Sequence, residues 1–297
     1  MKSFILLLFI YFHSSYSFCS CIHSKEILHS LAAQNMLMYE YSNSFKLNKD
    51  QTLENFIYNN NDEKMNKYSK NAINFLSQVS PLGTVELFED NKETDLQVGI
   101  TKSDINKRIS IIFRGSQSNI DWKYNLMTKK IFLDNKIGVH SGFYYHLHNG
   151  DSYDKINDCI IQLINNYPEY DIFITGHSLG GALCTLYGYE LSKKVNKTIN
   201  VVSFASPRLG NTSFKNDIEN ISNLNILRIT NKKDIVTAFP MVNYKHVGIT
   251  LHLTKNGYEI YDEKNDYCWY KYSLINCNNI KDHDMQNYYK KIINNII

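Results

Sequence analysis

The chain has 297 residues, with 32 Lys and Arg against 29 Asp and Glu and a formal net charge of +3. A balance this even gives no reason to expect nucleic acid or an anionic membrane as the partner, and it describes an ordinary solvated surface. The length fits one large α/β domain, and no linker rich in Pro, Gly or Ser divides it.

Met1-Lys2-Ser3 leads into an apolar run over residues 4–12, which is far too short to cross a hydrocarbon core and reads as a secretory signal. Small residues at Ser15 and Ser17 suggest cleavage before Phe18, and a cut before Cys21 fits nearly as well. Residues 1–17 are therefore expected to be a signal peptide and residues 18–297 a single domain. Over residues 22–41, Ile27, Leu28, Leu31, Ala32, Leu37 and Met38 fall at helical spacing, which predicts an amphipathic helix packed across a sheet. Residues 50–78 are polar and partly helical in pattern.

Residues 85–88, 96–101 and 109–113 read as strands. Alternation follows: a helix over 156–164, a buried strand over 172–175, a helix over 179–195, a strand over 199–204 and another over 226–230. That rhythm implies a largely parallel central sheet with helices on both faces. Short strands near 247–253 and 257–261 extend it, and residues 285–297 form a closing helix. No internal repeat is evident.

Six cysteines in a chain read as secreted invite a search for disulfides. Cys159 and Cys184 fall within helical patterns and read as buried thiols, whereas Cys268 and Cys277 bracket a short polar stretch and are the better candidates for a bridge. No CxxC pair or His cluster has zinc-ligand spacing, so no catalytic metal is expected. Sequons stand at Asn196, Asn211 and Asn220.

The densest chemical signal is Gly176-His177-Ser178-Leu179-Gly180-Gly181, set between the strand-like Ile172-Phe173-Ile174-Thr175 and an apolar helix. A Gly-x-Ser-x-Gly turn of this kind presents its Ser above a sheet, and both flanking positions must lack bulk. Ser178 is thus the candidate nucleophile, with His177 as a supporting neighbour. A Ser hydroxyl needs a His to take its proton and an acid to orient that His. Both partners should lie downstream in the order Ser, acid, His.

Asp234 follows the strand at 226–230 in a strand-end loop and is the favoured acid. Asp217 and Glu219 lie in a surface helix, and Asp262, Glu263 and Asp266 in a polar loop. For the base, His283 in the loop before the last helix is favoured and His246 is the alternative, with His252 also on a strand. Leu179 N–H and Ser116, in the turn Arg114-Gly115-Ser116 after a strand, are the candidate oxyanion donors. No cofactor is required.

Taken together, these segments resemble the class 3, fungal-type lipases of the α/β-hydrolase superfamily over about residues 85–290. Phe113-Arg114-Gly115-Ser116 is similar to the family's oxyanion segment, Val139-His140-Ser141-Gly142-Phe143 to its VHxGF strand, and Gly176 to Gly181 to its GHSLGG elbow. Ser206-Pro207-Arg208-Leu209-Gly210-Asn211 resembles its PRxGN stretch and Asp234-Ile235-Val236 its acid-bearing DIV. Tyr244-Lys245-His246-Val247-Gly248 resembles a structural HVG segment, and Asp282-His283 the terminal catalytic His.

The resemblance implies hydrolysis of lipid esters, with a lid after Ser116. Ile120, Trp122, Leu126 and Met127 would form the lid's apolar face and contact a lipid surface; Trp122 reads equally well as a fixed core residue. Asn125 stands where the family often carries an Asp. A phospholipase, a soluble carboxylesterase and a catalytically silent lipid-binding module are the alternatives. Oligomeric state does not follow from the sequence.

Overall fold

The computed structural model describes residues 24–40, 83–116, 129–262 and 278–295. The expectations for the signal segment, residues 50–78, the lid residues 120–127 and the Cys268 and Cys277 bridge lie outside the described residues.

In chain order the elements are α1 (Lys25–Glu40), β1 (Thr84–Asn91), β2 (Leu96–Ser103), β3 (Arg108–Phe113), β4 (Lys130–Phe132), β5 (Gly138–His140), α2 (Ser141–His148) and α3 (Ser152–Asn166). They continue with β6 (Asp171–His177), α4 (Leu179–Ser192), β7 (Ile199–Phe204), α5 (Thr212–Glu219), β8 (Leu224–Asn231), β9 (Ile249–Leu253), β10 (Tyr258–Asp262) and α6 (Met285–Asn295). Single 3-10 turns at Ile235–Ala238 and Ile280–His283 flank β8 and α6.

Eight strands form one sheet in the order β1-β2-β3-β6-β7-β8-β9-β10. Where connections are short, neighbours run antiparallel, as in β1-β2, β2-β3 and β9-β10. Where a longer crossover intervenes, they run parallel, as in β3-β6, β6-β7, β7-β8 and β8-β9.

Central strands buried on both faces explain the near-continuous apolar runs of β6 and β7. Ile172, Ile174, Ile199 and Val201 point into a core shared with α2 to α5, while Phe173, Val202, Phe204, Leu227 and Ile229 point into a second core under α1 and α6. α1 contributes Leu28, Leu31, Ala32 and Met36 to that second core, and α6 contributes Met285, Tyr288, Tyr289 and Ile292, each set one helical stripe. Cys184 is buried in the first core and Cys159 is half-buried on α3.

Two local readings change. Residues Val139 and His140 are extended in β5, but the chain turns helical at Ser141, because the His140 side chain accepts the Phe143 N–H at 3.3 Å as an N-cap. Asp262 ends strand β10 and is not a loop residue. Asn211 caps α5 by accepting from Phe214 N–H, and its side-chain nitrogen donates to Lys136 O at 2.8 Å.

The parallel register brings Phe113 level with Gly176, and His177 level with Phe204. Segments leaving β3, β6, β7 and β8 therefore emerge at one edge of the sheet, where α/β folds place their ligands.

Candidate active site

One residue, Ser178, makes the turn between β6 and α4, with φ 59° and ψ −122°. A non-glycine residue held there costs on the order of 1–3 kcal/mol, so the surroundings must over-determine it. They do so through Ser178 N–H donating to Phe204 O at 2.9 Å and Gly181 N–H donating to Ser178 O at 2.9 Å. A Cβ on Gly176 would lie 2.1 Å from Gly180 O, and one on Gly180 would lie 2.2 Å from Phe113 O. The two glycines of the motif are thus required by close approach of the backbone on both sides of the turn.

His283 stands over this turn. Its Nε2 lies 2.8 Å from Ser178 Oγ, and its Nδ1 lies 3.1 Å from each carboxylate oxygen of Asp234. Asp234 is 1% exposed and also accepts from Tyr288 O–H at 2.6 Å and Val236 N–H at 2.9 Å. With Nδ1–H facing a carboxylate, Nε2 is left with a lone pair toward the Ser178 hydroxyl, the arrangement a proton-accepting imidazole needs.

The loop carrying His283 is anchored from three sides. Asn279 N–H donates to Lys233 O at 2.8 Å, Asn231 donates to Asp282 O at 2.9 Å, and His177 Nε2–H donates to His283 O at 2.8 Å. A carbonyl can only accept, so His177 carries its proton on Nε2, and its Nδ1 accepts from Tyr39 O–H at 2.7 Å. The supporting role read for His177 has this content: it ties α1 to the loop that holds His283.

Ser116 is half-buried just beyond β3, and the segment runs beside the turn, since a Cβ on Gly115 would sit 3.2 Å from Ser178 Cβ. Arg114 fixes that segment through its N–H to Gln97 O at 3.0 Å and its guanidinium to Asp95 at 2.7 Å. Leu179 opens α4, where first-turn N–H groups have no intrahelical acceptor and the helix dipole is positive.

The other candidates lie elsewhere. His246 is buried and its Nε2–H donates to Thr237 O at 2.8 Å, which braces the 3-10 turn after Asp234. His252 Nδ1 lies 2.9 Å from the Thr230 hydroxyl. Asp217 accepts from Tyr189 O–H and Lys193, both at 2.7 Å, and Glu219 faces Lys215. Among the described residues no group of His, Cys, Asp or Glu could hold a metal ion.

Burial pushes His177 and His246 well below the ordinary histidine value of 6.5, aided by the charge of His283 for the first and of Arg228 and Arg208 for the second. Burial, then Lys25, lowers His29 to about 4. The folded state keeps all three neutral where the unfolded chain takes up protons, so stability is fully present above pH 6.5 and falls as the solution is acidified. Thermal melts are expected to show a melting temperature that is flat above about pH 7 and declines between about pH 6.5 and pH 4. A melting temperature rising over that interval would contradict the burial of these rings.

Residues 110–244 match the family model described as lipase (class 3). A curated lipase from Rhizomucor miehei is 29% identical over 177 residues, covering 56% of this chain and 47% of that protein. Phospholipase A1-II 3 from Oryza sativa subsp. japonica is 31% identical over 173 residues, covering 48% and 41%. The chain thus spans about half the length, or less, of these curated relatives. A crystal structure of a variant of MDLA from Penicillium cyclopium superposes with a TM-score of 0.70 at 19% identity, over 90% of this chain and 97% of that one. The likeness shows a shared α/β-hydrolase fold.

Proposed function

Because its residues 110–244 make this chain a member of the class 3 lipase family, we propose that it hydrolyses carboxylic esters of lipids through an acyl-enzyme on Ser178. The observation that carries this reading is the 2.8 Å approach of His283 Nε2 to Ser178 Oγ, with the other ring nitrogen on the buried Asp234 carboxylate.

Ser178 Oγ attacks the ester carbonyl as its proton passes to His283 Nε2. Asp234 orients the ring and stabilises the imidazolium. The tetrahedral oxyanion receives the Leu179 N–H and the Ser116 backbone and hydroxyl, each such donor supplying roughly 3–4 kcal/mol in comparable sites. His283 returns the proton to the departing alcohol, and water then deacylates Ser178 by the same route.

A fluorophosphonate probe with site mapping tests the nucleophile before any substrate is known. Labelling at Ser178 is expected, and labelling at another residue would reassign the chemistry. Turnover of emulsified triglyceride, phospholipid and dissolved short-chain ester then separates lipase, phospholipase and carboxylesterase. The phospholipase reading draws on the rice phospholipase A1 relatives. A silent binding module would label nowhere; against it stands that Ser178, Asp234 and His283 are all retained.

The basic and apolar start of the chain supports passage through the secretory pathway, with residues 18–297 as the mature single domain. A relative from Penicillium cyclopium is named a secreted mono- and diacylglycerol lipase. Lid contact with lipid through Trp122 rests on the family resemblance, and Trp122 fluorescence on adding lipid tests it.

A further inference from the structure

The even overall charge hides a local imbalance. β8 ends at Asn231 and β9 at Leu253, paired level with one another, so the residues following both strands emerge at the edge that carries Ser178. A cavity of about 310 Å³ opens there between those strand ends, the residues preceding His283 and one face of α6. Lys232, Lys255, Lys281, Lys290 and Lys291 line it, and Asp282 is the one acid among the described lining residues.

The lysines are placed by packing. On α6 the lining positions Asn287, Lys290, Lys291 and Asn294 form one stripe, while Met285, Tyr288, Tyr289 and Ile292 form the stripe that enters the core. The helix cannot turn its lysines away without exposing four buried side chains. The Asp282 carboxylate is already engaged, accepting from Asn279 Nδ2 at 3.1 Å and from Lys233 N–H at 3.3 Å. Lys291 is half-buried and donates to Thr254 O; burial first, and the Lys232 charge second, hold it down to about 8. Five ammonium groups around one hollow repel one another, and an anion among them relieves that repulsion.

We propose that this cavity binds a phosphate group, carried by the headgroups of an anionic phospholipid surface or free in solution. Lysine ammonium groups are point-charge donors suited to a compact tetrahedral oxyanion, and the exposed Asn294 adds an amide donor. When the phosphate is a headgroup, its binding turns the Ser178 edge toward the lipid. The inference does not depend on the hydrolytic reading, because it is tested on full-length Ser178→Ala protein.

Two probes are used: inorganic phosphate, followed by amide NMR shifts, and flotation with phosphatidylcholine vesicles with and without phosphatidylglycerol. The comparison protein also carries Lys255→Ala, Lys281→Ala and Lys290→Ala, which remove three exposed charges and leave Lys291 in place. A control with Lys129→Ala, Lys136→Ala and Lys194→Ala lowers net charge equally at exposed sites elsewhere. Phosphate is expected to shift amides in residues 231–233 and 281–291 in the parent and control but not in the cavity variant.

Each lysine near an anionic surface contributes about fivefold, so the cavity variant should lose about a hundredfold in vesicle partitioning. Response to vesicles alone assigns the headgroup, and response to phosphate alone assigns the free ion; both uphold the cavity. No response to either probe, or an equal loss in the control, overturns it. Should the triple variant fail to fold, Lys290→Glu alone must weaken the response, and an unchanged response is equally fatal.

Discussion

Ser178→Ala is expected to lower turnover of a lipid ester by about six orders of magnitude, the loss seen when a triad acts as a unit. Alanine keeps the Cβ, so the turn at φ 59° remains as strained as before and the hydrogen bonds that hold it are untouched. The loss is therefore chemical, with a residual rate from oxyanion donors and binding of roughly 10³–10⁴ over water. Turnover of a dissolved short-chain ester, with circular dichroism to verify the fold, measures it. Retained esterase activity would remove Ser178 from the mechanism.

His283→Ala should be comparably severe, because without an imidazole 2.8 Å from the hydroxyl no group accepts the proton. The matched variant His246→Ala should leave turnover per folded molecule within a few-fold and lower the melting temperature, since His246 supports Thr237 O rather than the hydroxyl. Its loss removes one buried hydrogen bond, a penalty of about 0.5–1.5 kcal/mol. Combining Ser178→Ala with His283→Ala should cost little more than either alone. The opposite ranking of the two histidines would reassign the base.

Apolar periodicity carried most of the sheet. β6 and β7 are buried on both faces, so their continuous Ile, Val and Phe runs allow few other structures, and the helix-strand alternation then dictates parallel neighbours. β4 stayed hidden because a three-residue strand is too short to display a period, and its partner β5 was legible only through the VHxGF resemblance. Helix α2 was masked by Phe143, Tyr144 and Tyr145, residues that favour strands, and its start depends on a cap by His140 that no spacing rule anticipates.

At the candidate site, Ser178, Asp234 and His283 could be singled out because the fold fixes their order along the chain. Tyr288, Tyr39 and Asn231 could not. A phenol on α1 that bonds a ring 138 residues later leaves no periodic trace, and Tyr288 looks in sequence like one more apolar position of α6.

The separations themselves have a consequence for biosynthesis. Ser178 lies 105 residues before the imidazole beside it, and that imidazole is held in turn through Tyr39, far upstream. A nascent polypeptide leaving the ribosome therefore displays its reactive oxygen well before anything can activate it, and a serine without a base is a poor nucleophile. Only when α1 and α6 close together over the same flank of the sheet is the imidazole held where the hydroxyl can meet it.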